Sequence, residues 1–144
     1  MSAIDYHAIE SAIATTLAAS GVIVAIEEDV FHGQIDAPIY IVVYLESRLP
    51  TEGQPLANST RTRFSIGFSI WVRAVNMNSF SDAAADRDRA LGAAEIALMG
   101  NPSLGGTVGS SWLEGGEFIS ARNSSGLFMA AAEIRLRAEA TAIT

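Results

Sequence analysis

Two long stretches in which apolar and polar residues alternate restrict the fold of this chain more than any other feature. In the first, apolar side chains fill every second position, at Phe64, Ile66, Phe68, Ile70, Val72 and Ala74. In the second, from Phe128 to Ala138, the apolar positions alternate with Glu133, Arg135, Arg137 and Glu139. A period of two kept over such a length is typical of a strand with one buried face and one wet face. The sequence therefore predicts two long strands that each need a covering layer on one side.

Helical spacing and shorter β patterns surround these two strands. Helices are predicted over 4–19 and over 81–99, the second with Ser81 as its N-cap. Strands are predicted at 22–27, 39–47, 61–74, 107–113, 117–122 and after Gly126. The predicted class is α+β, in the order α-β-β-β-α-β-β, with a mostly antiparallel or mixed sheet of four to five strands. We expect both helices to pack on one face of this sheet, and residues 1–144 to form a single domain.

The composition favours contact between protein molecules over the binding of nucleic acid. Charged residues make up 17% of the chain, below the ~25% of an ordinary globular protein, while apolar residues reach 49%. We expect part of this apolar surface to meet another subunit, although the codon usage of a GC-rich genome would also enrich alanine and arginine. The net charge of −7 disfavours binding to phosphate backbones.

Cysteine usage and hydropathy exclude further classes of protein. Cysteine is absent, which rules out disulfides, thiolate zinc ligands and a cysteine nucleophile. No apolar run approaches the ~18 residues that a membrane-spanning helix needs, and the first basic residue is Arg48. We therefore expect no signal peptide, no membrane anchor and no membrane partner.

Three groups of residues could carry chemistry, and each has a simpler interpretation. Gly100–Thr107 has the glycine spacing of a phosphate-binding loop, but Gly106 replaces the lysine and the segment follows a helix, so we interpret it as a turn. A Ser-His-Asp triad lacks a G-x-S-x-G motif to present its serine. An acidic group could bind a hard cation or line a solvated loop, and it contains Glu27, Glu28, Asp29, His32 and Asp36. We predict no catalytic residue, no cofactor and no metal site.

The wet faces of the two long strands are the best candidates for a functional surface. Their arginines are either solvated partners of Glu133 and Glu139 or contacts to acidic groups of a neighbouring subunit. Trp71 interrupts the polar positions, which is explained by local packing or by a role as an interface anchor. The predicted interface residues are Arg61, Arg63, Trp71, Arg73, Arg135 and Arg137.

Several segments together resemble a known family. They are a starting helix, a proline-ended loop from Pro50 to Thr60, the stretch RALGAAEIALMGNPSLGGTV over 89–108, a Gly-Gly-Glu-Phe turn, and a closing strand that begins GLFMAAAEIRL at Gly126. In this order of elements, and in the helix that ends at a Gly-Gly turn, the chain resembles the tail terminator proteins of long-tailed bacteriophages and related phage-derived particles. The resemblance covers nearly the whole chain.

The resemblance implies a structural protein of the virion tail and not an enzyme. It implies a homo-oligomeric ring, expected to be a hexamer, which caps the tail tube protein in the host cytoplasm and offers neck or connector proteins an attachment surface. DNA would pass as cargo without sequence-specific binding, and the loop from Pro50 to Thr60 would be a candidate for ordering on assembly. Two alternatives stay open: a head-tail joining or connector-completion protein, and a small-ligand binding module or hydrolase that uses the acidic loop.

Overall fold

Within residues 3–26, 37–50, 61–122 and 126–143, which the computed structural model describes, the chain forms one six-stranded sheet and two helices. The elements in chain order are α1 (Tyr6–Ala18), β1 (Ile23–Ile26), β2 (Ile39–Pro50), β3 (Arg61–Asn76), α2 (Phe80–Met99), β4 (Ser110–Gly115), β5 (Phe118–Arg122) and β6 (Phe128–Ile143). The two long strands that the alternating patterns predict are β3 and β6, and each continues beyond its predicted segment.

Strands β3 and β6 form the centre of the sheet and pair antiparallel along their whole length. On the other side of β3 lies β2, and the short β1 pairs parallel with β2. The far side of β6 is shared, because β4 pairs with its second half and β5 with its first half. The α+β class is confirmed. The described sheet has six strands and not four to five, because all six predicted strand segments join it, and three strands follow α2 where the predicted order has two.

Both helices pack on the same face of the sheet, as predicted. Buried residues of α1 and α2 share one core with alternate residues of the central strands, among them Ile13, Leu98, Phe68, Ile70 and Leu136. Three of the four buried residues of α2 are alanines, the fourth being Leu98. A helix with such small side chains on its inner side lies close to the sheet. Neither described helix has both the length and the apolar character that crossing a bilayer demands.

The start of α2 differs from the sequence prediction by two residues. The N-cap is Ser79 and not Ser81, and the Ser79 side chain accepts a hydrogen bond of 3.1 Å from the backbone N–H of Asp82. The Asn76 side chain, at the end of β3, accepts hydrogen bonds from the backbone N–H groups of Asn78 and Ser79. This turn fixes Ser79 in an extended conformation, which the capping residue of a helix requires.

The glycine-rich segment after α2 is a turn that fastens α1 to the core. Asn101 donates a hydrogen bond of 3.0 Å from its side-chain nitrogen to Thr16 Oγ1 of α1, and its side-chain oxygen accepts one from the backbone N–H of Gly105. Leu104 is fully buried although its φ is 49°, a conformation uncommon for residues other than glycine. The segment leads from a helix into β4, so its backbone N–H groups do not open a following helix as those of a phosphate-binding loop do.

Gly92 lies in the middle of α2, and alanine at this position is expected to stabilise the protein. A Cβ built on Gly92 meets no atom within 4 Å, so there is space for the methyl group. Alanine is favoured over glycine inside a helix by about 0.5–1 kcal/mol. We expect Gly92→Ala to raise the free energy of unfolding by this amount. In urea unfolding the midpoint concentration then rises, and the dependence of the free energy on urea concentration is unchanged. A lowered midpoint would mean that the position is crowded.

Candidate functional site

The sheet has a second face on which no helix of the described residues packs, and we call it the open face. It carries the alternate residues of the central strands that point away from the core. Its members include Tyr40, Val42 and Tyr44 of β2, Arg61, Arg63, Ser65, Gly67, Ser69, Trp71 and Arg73 of β3, and Glu133, Arg135, Arg137 and Glu139 of β6.

All six residues predicted for an interface lie on the open face. Arg61, Arg63, Trp71 and Arg73 belong to β3, and the other two, Arg135 and Arg137, belong to the neighbouring β6. The sequence assigns them to two wet faces, and the pairing of β3 with β6 makes these one continuous surface. Their role in contact between subunits remains a prediction.

A buried carboxylate connects the two strands near the middle of this face. The Glu133 side chain is only 7% exposed. It accepts a hydrogen bond of 2.6 Å from Ser69 Oγ and one of 2.9 Å from Arg135 Nε. The hydrogen bond to Glu133 and the charge of Glu133 both raise the pKa of Arg135 above its ordinary value. Because each carboxylate oxygen has a partner, Glu133 holds Arg135 in a fixed position.

The Arg137 guanidinium lies close to Gly67, its cross-strand partner. It pairs with Gly67 of β3, and a Cβ added to Gly67 would lie 3.4 Å from Nη1 of Arg137 and 2.6 Å from Ser47 Oγ. The Arg137 Nε donates a hydrogen bond of 3.1 Å to Glu114 Oε1 of β4. A side chain at Gly67 would therefore crowd the Ser47 hydroxyl of β2, while its distance to the guanidinium would be that of an ordinary contact.

The centre of the open face is aromatic and apolar. Trp71 is half-buried and pairs across the strands with Val42 on one side and Glu133 on the other. Val42 is fully buried despite lying on the face away from the core, and its neighbours on the same face of β2 are Tyr40 and Tyr44. Aromatic residues and arginine together form the composition that dominates binding energy at protein interfaces. The face thus offers an apolar centre among charged groups.

Sequence reasoning missed several residues of this face. The sequence indicates Glu133 only as a possible partner for arginines, and it does not single out Ser69 or Gly67. Their roles depend on the register between β3 and β6, which are far apart in the chain. Tyr40 and Tyr44 belong to the strand predicted at 39–47, and their alternation with Ile41 and Val43 is a signal that places them on the other face.

A second apolar area lies along the outer edge of the sheet. Trp112 of β4, and Phe118 and Ile119 of β5, are between 42% and 64% exposed. The Arg87 guanidinium of α2 lies 4.9 Å from the centre of the Phe118 ring, on the helix side of the edge. Within the described part of the chain, β5 pairs only with β6, so its other side has unpaired backbone groups.

The remaining candidates for chemistry fall partly outside the described residues. Glu27, Glu28, Asp29, His32 and Asp36 lie outside them, as does most of the loop predicted from Pro50 to Thr60. Among the described residues, no three histidine, aspartate or glutamate side chains are grouped closely enough to hold a metal ion. His7 is exposed on α1.

Comparison with known proteins adds no assignment to this geometry. No protein-family model matches the chain. No protein of curated function matches it at a significant level either.

Proposed function

We propose that the protein is a structural component of a bacteriophage tail, a tail terminator whose copies form a ring on the end of the tail tube. In this proposal the ring is a hexamer, and its outer surface is the site to which the neck or connector proteins attach. The protein works by binding neighbours and has no catalytic role. It is assembled in the host cytoplasm and remains in the tail of the virion.

The observation that carries this proposal is the open face. A two-layer α+β subunit normally buries only one face of its sheet, and the other face is then polar. Here the second face has Trp71, Tyr40, Tyr44 and a half-buried Arg73 around the fully buried Val42. A surface with this composition is suited to contact with another protein molecule. The exposed Trp112 and Phe118 at the sheet edge add apolar area for further contacts.

The charge of the chain supports a role at a channel through which DNA moves. The net charge is −7. A negative subunit repels the phosphate backbone, so DNA could pass a ring of such subunits without being retained by counterion release. This is consistent with DNA as passing cargo and not as a specific ligand.

The test is binding to the end of polymerised tail tubes from the same virus. Purified protein is mixed with tubes, and negative-stain images are scored for a ring at one end, while light scattering gives the mass of the free protein over a range of concentrations. We expect one ring per tube. Binding only to portal or head proteins would instead identify a connector-completion protein, and an absence of binding to both would contradict an assembly role.

A pair of variants tests whether the open face takes part. Arg73→Ala removes an arginine of the open face and is expected to reduce the fraction of capped tubes about tenfold or more. Arg48→Ala is the matched control, because Arg48 is exposed on β2 and pairs with the core-facing Ile66, not with an open-face residue. Equal capping by both variants would show that the ring uses another surface.

A further inference from the structure

The charges of the described residues are divided between the two layers of the subunit. The strands, with Glu117 of the turn between β4 and β5, contain seven arginines and five glutamates, a net charge of +2. The two helices, with the capping Asp5, contain six acidic residues and two arginines, a net charge of −4. Both helix arginines are already bonded to aspartates of α2: Arg87 lies 2.9 Å from Asp88 and Arg89 lies 3.4 Å from Asp86. One side of the subunit is therefore acidic and the sheet is basic.

The outer side of α2 combines this acidity with exposed apolar side chains. Ile96 is 70% exposed and Met99 is 62% exposed, although both are large and apolar. Asp88 and Glu95 lie near them, because residues seven or eleven positions apart share one side of a helix. The buried residues of α2, which include Ala90 and Ala94, lie on the opposite side. The outer side of α2 thus has the chemistry of an interface and no partner among the described elements.

We propose that the outer side of α2 of one copy packs on the open face of the next copy. This inference depends on the proposed function, because it specifies how copies of the chain meet in the ring. The partner of the open face is then a second copy of this chain, in a contact of helix on sheet like the one within each subunit.

Complementary charge is the main argument for this pairing. Arg63 and Arg73 of the open face have no carboxylate partner among the described residues. Glu95 of a neighbour would supply that partner, together with Asp88, whose carboxylate also pairs with Arg87 of its own helix. Guanidinium–carboxylate pairs fix the register of two surfaces. Ile96 and Met99 would meet the aromatic centre at Trp71, a contact that sulfur and aromatic rings favour.

The placement of the two surfaces determines the kind of contact that copies can make. The outer side of α2 and the open face lie on opposite sides of the same two-layer subunit. A contact between them is heterologous, so each copy has one free donor surface and one free acceptor surface. Such contacts close into a ring when the rotation between neighbours permits it, and otherwise continue as a filament.

The experiment reverses the charge of each surface separately. One variant carries Arg63→Glu and Arg73→Glu, and the other carries Asp88→Arg and Glu95→Arg; circular dichroism checks that both are folded. For each variant alone, the assembled fraction is expected to fall about tenfold or more, because like charges then face each other. In an equimolar mixture every contact again joins opposite charges, so sedimentation velocity and images of tube ends should show restored, alternating assemblies.

The outcomes separate this pairing from the proposed function. If the wild-type protein assembles and each variant alone assembles equally well, the pairing is overturned and the proposed function stays intact. Failure of the mixture to restore assembly would also overturn it. Wild-type protein that neither self-associates nor binds tube ends would overturn the function itself. The variant with Arg63→Glu and Arg73→Glu is also tested for binding to duplex DNA. If it loses DNA binding and its assembly is unchanged, the open face is assigned to DNA and the pairing is contradicted.

Discussion

Alanine in place of Phe68 is expected to lower the free energy of unfolding by about 3–5 kcal/mol, the usual cost of removing a large buried ring. Phe68 lies in the middle of β3, is 1% exposed, and belongs to the core shared by both helices and the central strands. Removing the ring loses its transfer free energy and leaves a cavity between the helices and the sheet. The measurement is urea unfolding followed by circular dichroism, with the slope checked for two-state behaviour.

Phe118→Ala is the matched control for this experiment. It makes the same chemical change at a ring that is 64% exposed on β5. The expected loss is about 1 kcal/mol or less, since little surface is buried and only the contact with the Arg87 guanidinium is removed. Comparable losses for the two variants would contradict the placement of Phe68 in the centre of the core.

Alanine at Gly116 is expected to disrupt the outer edge of the sheet and to cost roughly 3 kcal/mol or more. Gly116 joins β4 to β5 with a φ of 156°, in the region that side chains avoid. An added Cβ would overlap the backbone carbonyl oxygen of Glu133 and lie 2.6 Å from its carbonyl carbon. Because those atoms belong to the backbone of β6, no side-chain rotation can relieve the clash. The hydrogen bond of 2.7 Å from the Glu133 N–H to the Glu117 carbonyl would also be strained.

Gly115→Ala separates backbone strain from this clash. Gly115 has a positive φ of 106°, but a Cβ there would meet no atom within 4 Å. We expect a loss of about 1–2 kcal/mol from the strained backbone alone. Hydrogen exchange should show that Gly116→Ala speeds the exchange of the β5 amides. Gly115→Ala should have the same effect to a much smaller degree. Equal losses of stability for Gly115→Ala and Gly116→Ala would indicate that Gly116 does not approach the backbone of β6 as closely as the structure shows.

The sequence predicted those parts of the fold that depend on local patterns. The period of two from Phe64 to Ala74 located β3 and its buried side, and the apolar spacing of α1 and α2 located the helices. The start of α2 was wrong by two residues because both Ser79 and Ser81 are good caps. What decides between them is the side chain of Asn76, whose hydrogen bonds hold the turn.

The features of the open face that the sequence could not predict depend on contacts between distant segments. Five arginines and Trp71 could be assigned to polar faces of strands, but not to one shared surface. The bond between Ser69 and Glu133, and the place of Arg137 above Gly67, follow only from the register of β3 against β6. A pattern of alternation is the same for any register that keeps the core side buried. Pair contacts of this kind therefore need a structure.

The central pairing of β3 with β6 also has a consequence for synthesis of the chain. Every open-face position on β3 is next to a residue of β6, and β6 is the last element of the described chain. A nascent chain that has reached only α2 has β3 without its main neighbour, and both the core and the open face are incomplete. A chain that lacks β6 therefore has neither the complete core nor the complete open face.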